Sequence, residues 1–315
     1  MIEIENLKSI LIIGAGTMGH SIAQVYAHAG FEVDLVDTHQ KKLDHALDLI
    51  KSNLAVLSEF ERVQNDEILS ILERIHPKTD LKEATNEKMF VVEAVNENPD
   101  LKKRLFNQLS EFCREDAILA SNTSTLDIFQ ITRSIKNVHR IIAHHWFAPP
   151  HIIPLVEVVP SRKTSNDTVD FSVNLLKRIG KEPIVIDKFL PGYIVNRIQT
   201  ALYGAMYELL ARNVATPEQI DLAIKTTLGI RLPIVGIAQS QDFTGLDLVR
   251  DIQESKGGVL PLIQEKVDMN QLGVKTGEGL YDYHGISEEE ILKKRDRLYL
   301  HQLEFLEKLT SFKRV

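Results

Sequence analysis

Three short apolar runs of the sequence deliver side chains that could do chemistry. Residues 118–121 lead into Asn122-Thr123-Ser124, residues 141–143 lead into His144-His145-Trp146, and Glu157 lies inside the run 155–159. A carboxylate within an apolar run needs a partner, because an unpaired buried charge is costly. Were Glu157 to meet His145, it would raise the basicity of the imidazole and fix its tautomer, making His145 a base for an alcohol proton. Ser124 could equally cap a helix, and a histidine at a strand end is more often a packing residue, so spacing alone leaves these roles open. His144, His145 and His151 also suggest a metal, but no cysteine or carboxylate completes a recognised ligand spacing, and no metal is expected. The single cysteine, Cys113, has no base beside it and reads as a small packed or surface thiol.

Such side chains need a scaffold that gathers strand ends. Residues 10–13 form an apolar run that breaks into Gly14-Ala15-Gly16-Thr17-Met18-Gly19 and then into 21–27, a strand, a tight turn and a helix. Dinucleotide binding demands that order: Gly14 for the turn, Gly16 so that backbone can approach a pyrophosphate, and Gly19 for close helix–strand packing. The helix N-terminus then faces the phosphates. A second run, 32–36, ends in Asp37, eighteen residues after Gly19, where an acidic side chain binds a ribose 2′-hydroxyl. Lys41 and Lys42 suit a 2′-phosphate, yet Asp37 repels one, so NAD is expected rather than NADP.

Further runs at 89–95, 118–121, 141–143, 155–159 and 184–186 alternate with polar helical segments. This predicts an α/β chain with a Rossmann-like, doubly wound, mostly parallel sheet, whose ligands gather at the carboxyl edge of the strands. Between Asp37 and Met89 lies an insertion long enough for two helices, expected to project as a hairpin beside the sheet. After Asp187 the pattern turns helical and Pro191-Gly192 breaks the preceding strand, so two domains are expected, 1–187 and an all-α 188–315. Residues 193–210 carry Ile194, Val195, Ile198, Leu202, Met206 and Leu209, enough for more than one apolar helix face. That points to a homodimer surface, with core packing inside one subunit as the alternative. The net charge of −7 over 315 residues leaves no basic stripe for nucleic acid, and the N-terminus has no charged-then-apolar signal pattern. No apolar stretch reaches the roughly 18 residues of a membrane span, so a cytoplasmic chain is expected.

The motifs GAGTMG, VVEAVNEN, SNTSTL, PLVEVV, PGYIVNR and VKTGEGLY together resemble the 3-hydroxyacyl-CoA dehydrogenase superfamily over nearly the full length. The resemblance implies that His145 is the catalytic histidine, Glu157 its partner, and Ser124 and Asn196 substrate-binding groups. It implies cofactor contacts from Glu97 and Lys102, with Asn122 and Lys275 as further candidates beside Gly14, Gly16, Thr17, Met18, Gly19 and Asp37. The implied reaction is reversible oxidation of a 3-hydroxy group by NAD, in a dimer whose second domain helps to close the cleft.

Departures from the pattern bear on the substrate. Trp146-Phe147-Ala148-Pro149 follows the histidine where the CoA enzymes have Phe-Phe-Asn-Pro, and the insertion segment 52–67 has one basic residue, Arg62, against four acids. An acidic surface is a poor host for the phosphorylated ADP moiety of CoA. Pro149-Pro150 and the charged C-terminal helix at 293–309 resemble the lambda-crystallin, L-gulonate 3-dehydrogenase and carnitine dehydrogenase branch, so a small free 3-hydroxy acid stands beside a 3-hydroxyacyl-CoA as the expected substrate. A non-catalytic, crystallin-like NAD-binding protein is the alternative of a different class. Arg231 could meet a substrate carboxylate, although an exposed loop arginine is the plainer reading.

Overall fold

The computed structural model describes residues 4–309 and 312–313. It divides into two compact units, Met1–Ala201 and Leu202–Val315. In the first, strands β1 (Ser9–Ile13), β2 (Glu32–Val36), β3 (Ile75–Lys78), β4 (Phe90–Glu93), β5 (Ile118–Ser121), β6 (Ile141–Trp146), β7 (Leu155–Pro160) and β8 (Glu182–Val185) form one sheet. Its helices are α1 (Gly19–His28), α2 (Gln40–Glu59), α3 (Glu67–Glu73), α4 (Leu81–Ala84), α5 (Pro99–Phe112), α6 (Ile128–Ile131) and α7 (Asn166–Arg178). Helix α8 (Val195–Ala211) leads into the second unit, which holds α9 (Pro217–Thr226), α10 (Leu228–Thr244), α11 (Leu246–Glu254), α12 (Pro261–Asp268) and α13 (Glu288–Leu309).

The strand order β3-β2-β1-β4-β5-β6-β7-β8 reverses direction of growth between β1 and β4, the switch point where open α/β sheets bind ligands. From β3 to β6 all neighbours are parallel, whereas β6 and β7 are antiparallel and β8 runs with β7. The doubly wound, mostly parallel sheet is therefore as expected. Strand β3 was not anticipated: its sequence, Ile-His-Pro-Lys, has one apolar anchor, Ile75, and only pairing with β2 makes it a strand.

Side-chain alternation sorts the sheet into two cores. Ile10, Ile12, Val33, Leu35, Phe90 and Trp146 face α1, α2 and α7, while Leu11, Val91, Leu119, Ala143 and Val159 face α5 and α6. The insertion does not project as a hairpin. Leu43, Ala46, Ile50 and Leu54 recur along one face of α2 and are buried in the first core, so α2 packs on the sheet layer. By compactness 188–201 goes with the first unit: Tyr193 is buried in the second core, and the amides after it bond Glu157 of β7. Among the described residues, no helix is long and apolar enough to cross a membrane. Arg231 lies exposed within α10 rather than in a loop.

Alternation separates His144 from His145. The His144 ring packs against Phe90, and among the described residues neither of its buried nitrogens has a partner. Burial drives its pKa from 6.5 down to about 3. The unfolded chain therefore binds a proton that the folded one refuses across that window, so stability falls as pH drops through it. Replacing His144 with Leu should leave stability at pH 7 equal or higher and flatten its acid dependence by up to ~1.4 kcal/mol per pH unit. Urea unfolding at pH 7 and pH 5 tests this, and an unchanged pH slope would show that His144 is not the group responsible.

Candidate active site

The turn after β1 is shaped by contacts that only glycine permits. Gly14 has φ +102°, and a Cβ there would lie 2.5 Å from the Ala94 carbonyl oxygen. A Cβ on Gly19 would lie 1.7 Å from the Gly14 oxygen, so helix α1 sits directly on the turn. At Gly16 a Cβ would meet nothing within 4 Å, which leaves backbone facing open space. Among the described residues, the amides of Gly16, Thr17 and Met18 donate to no protein group, and they precede the N-terminus of α1. Gly14, Ala15, Gly16, Thr17 and Asp37 line a cleft of about 690 Å³. Asp37 closes its far end: Oδ2 accepts from the Ala15 amide at 3.1 Å, and Lys42 stands 3.6 Å from Oδ1. Unclaimed amides at a helix N-terminus and a carboxylate at the end of β2 fit a dinucleotide's pyrophosphate and ribose.

On the other face of β6, the antiparallel register sets His145 directly opposite Glu157. Glu157 Oε2 lies 2.7 Å from His145 Nδ1, and Oε1 accepts from the amides of Ile194 and Val195 at 3.0 Å each. The carboxylate is fully buried, so three donors and the N-terminus of α8 stand in for the water it lost. As an acceptor it assigns the proton of His145 to Nδ1, and among the described residues Nε2 bonds no protein group. Phe147 and Tyr193 flank the imidazole, with ring centroids 4.5 and 5.2 Å away. Tyr193 holds φ +46°, a strained value for an aromatic residue, and among the described residues its buried hydroxyl has no partner. Sequence reasoning missed both flanking rings, since neither carries polar chemistry of its own toward the histidine.

Ser124 lies in a loop organised from beneath. Glu97 Oε1 accepts from the Thr123 hydroxyl at 2.6 Å and from the amides of Ser124 and Thr125 at 2.9 and 3.0 Å. Burial opposes the charge on Glu97, but the Thr123 bond, the Lys102 ammonium and these amides outweigh it and hold its carboxyl below the ordinary value. Lys102 is fully buried, 2.6 Å from Glu93 Oε1 and 3.3 Å from Glu97 Oε2. Glu93 in turn accepts from the Ser121 hydroxyl and the Val95 amide. Glu97 and Lys102, expected to touch the cofactor, have these partners within the protein, and Asn96, Leu101 and Arg104 of the same segment line the cleft. Asn122 accepts from the Trp146 amide at 3.0 Å, tying β5 to the end of β6. Among the described residues, the Ser124 hydroxyl and the half-buried Asn196 side chain have no hydrogen-bond partner, and Asn196 directly follows the residues that hold Glu157.

His144 and His145 face opposite cores, and His151 bonds Ser21 at 2.7 Å, so the three histidines do not converge. Cys113 is buried and its thiol is pushed up to about 11. In the second unit, Lys275 pairs with Asp247 at 2.6 Å. The loop carrying VKTGEGLY wraps around a buried carboxylate, Asp242, which accepts from the amides of Leu280 and Tyr281 and from the Tyr283 hydroxyl. A Cβ on Gly273 or Gly279 would come within 2.4 Å of Asp242, so those glycines serve that packing.

A family model for the 3-hydroxyacyl-CoA dehydrogenase NAD-binding domain matches residues 9–189, and one for that family's C-terminal domain matches residues 192–283. The chain belongs to the 3-hydroxyacyl-CoA dehydrogenase family. Its cofactor is NAD, in keeping with the glycine turn and Asp37. A 3-hydroxybutyryl-CoA dehydrogenase of Clostridioides difficile is 36% identical over 286 residues, covering 87% of this chain and 99% of its own. A 5-formyl-3-hydroxy-2-methylpyridine 4-carboxylate 5-dehydrogenase of Mesorhizobium japonicum is 28% identical, covering 88% and 91%. The crystal structure of a 3-hydroxyacyl-CoA dehydrogenase of Archaeoglobus fulgidus matches with a TM-score of 0.79 at 28% identity, over 95% of this chain and 99% of that one.

Removing the Lys102 cation would strand Glu93 as an uncompensated buried charge. Lys102→Met is expected to cost ~3–5 kcal/mol. Calorimetric unfolding measures it, and a loss below 1 kcal/mol would mean that water reaches Glu93.

Proposed function

We propose that the enzyme interconverts a 3-hydroxy acid, free or as its CoA thioester, with the 3-oxo product, using His145 as the general base. The observation that carries this reading is the Glu157–His145–Nε2 geometry, with one imidazole nitrogen claimed and the other left for a ligand. NAD bound along the glycine turn supplies the hydride acceptor. Nε2 takes the hydroxyl proton, and the imidazolium that results is held by Glu157, whose remaining oxygen stays fixed by the α8 amides. The unpartnered hydroxyl of Ser124 and the Asn196 amide supply donors for the reacting oxygen, each a type of contact that contributes ~3 kcal/mol in a dry site. Phe147 and Tyr193 shield the imidazole from water.

The names of the family relatives favour a thioester. The segment 52–67 favours a free acid, because Glu59, Glu61, Asp66 and Glu67 stand there beside one basic residue, Arg62. A second copy of this chain is proposed to cover α8, a 17-residue apolar helix with no buried residue. Light scattering on a sizing column should then give twice the chain mass.

NADH consumption with acetoacetyl-CoA and with free 3-oxo acids tests the substrate reading, since turnover of neither would overturn it. His145→Ala is expected to lower kcat ~10²–10⁴-fold while NADH affinity stays unchanged. A variant turning over at the normal rate would remove His145 from the mechanism.

A further inference from the structure

A second cavity of the first unit, about 320 Å³, opens where α1 and α7 end beside the loop 147–154. Its wall includes His28, His151, Arg178 and Lys181, and no aspartate or glutamate lines it. That sign runs against the composition, for the chain has 44 acidic residues and 37 Lys and Arg.

Lys181 is 6% exposed and has no carboxylate partner among the described residues. Its ammonium donates to the carbonyls of Pro150 and Ile153 and lies 5.5 Å from the centre of the Trp146 ring. Two carbonyls and an aromatic face offer partial charge only, so the buried cation lacks a counter-ion, and one of its three donors is unclaimed. Burial accordingly pulls its pKa down to about 8. Arg178 lies over the Phe31 ring, and among the described residues its one carboxylate partner is Glu5, at 4.0 Å. The ends of α1 and α7 favour nearby cations, which accounts for His28 and Arg178. It does not account for Lys181, whose ammonium is held by loop carbonyls, while carbonyls of the last turns, Tyr26, Ala27, Leu176 and Lys177, receive amides of Phe31, Gly30, Lys181 and Gly180.

We propose that this cavity binds a small oxyanion, a carboxylate or a phosphate, between Lys181 and Arg178, at a site separate from the dinucleotide cleft. The bound anion provides the counter-ion that Lys181 lacks. It also steadies the loop 147–154, which leaves the His145 strand and returns to α1 through two bonds between His151 and the Ser21 hydroxyl.

The test uses the full chain with saturating NADH, so that the dinucleotide cleft is filled. Thermal unfolding is followed in phosphate, in malonate and in sodium chloride of matched ionic strength. The expected result is a midpoint raised by phosphate, malonate or both above chloride, with the difference abolished in Arg178→Gln and in Lys181→Met. Arg178 is half exposed, so its variant tests the site even if Lys181→Met does not fold. Phosphate acting alone identifies a phosphorylated ligand, and malonate acting alone identifies a carboxylate. A midpoint no higher than in chloride, a rise seen only without NADH, or a rise that survives Arg178→Gln overturns the proposal. None of these readings depends on turnover, so they stand or fall separately from the proposed reaction.

Discussion

A single buried carboxylate governs the geometry around the histidine. Glu157 has no exposure to water, and its two oxygens are claimed by three donors on two elements: His145 of β6, and two amides at the start of α8. An ionised group at such a depth persists only when its acceptor positions are filled. Satisfying Glu157 therefore fixes three things at once: the tautomer of His145, the approach of α8, and the place of Asn196. The positive φ of Tyr193 belongs to the same constraint, since the chain must turn sharply there to present consecutive amides to one oxygen.

The loop bearing Ser124 is organised by the same logic at a second point. Glu93 and Glu97 flank one buried ammonium, and the oxygen of Glu97 turned away from Lys102 gathers the amides of the loop. Both networks end in a side chain left without a protein partner, Nε2 of His145 in one and the hydroxyl of Ser124 in the other. Rigid, fully satisfied surroundings are what hold such groups in place for a ligand.

Much of the scaffold was legible from local pattern. The glycine turn, Asp37 and the apolar runs announce strand-turn-helix units because their spacing follows from backbone sterics and from the period of strands and helices. Strand β3 was not legible, because a Pro and two polar residues form a strand there only by pairing with β2. The packing of α2 against the sheet was hidden too: Leu43, Ala46, Ile50 and Leu54 mark an apolar face but do not say what covers it. Pro191-Gly192 marks the end of a strand and falls between the two family matches, but carries no sign that 193–201 packs with the first unit.

The sequence alone determined the class of cofactor, the doubly wound sheet and the short set of residues from which a site could be built, because these depend on residue type and local spacing. It did not determine which of two adjacent histidines faces a carboxylate. That choice was made by the reversed direction of β7, which places Glu157 opposite His145 and leaves His144 against Phe90 on the other face. Nor did it show that Lys102 is buried between Glu93 and Glu97, or that Glu97 holds the Ser124 loop. Burial and partner geometry decide such cases, and they exist only once distant segments have packed together.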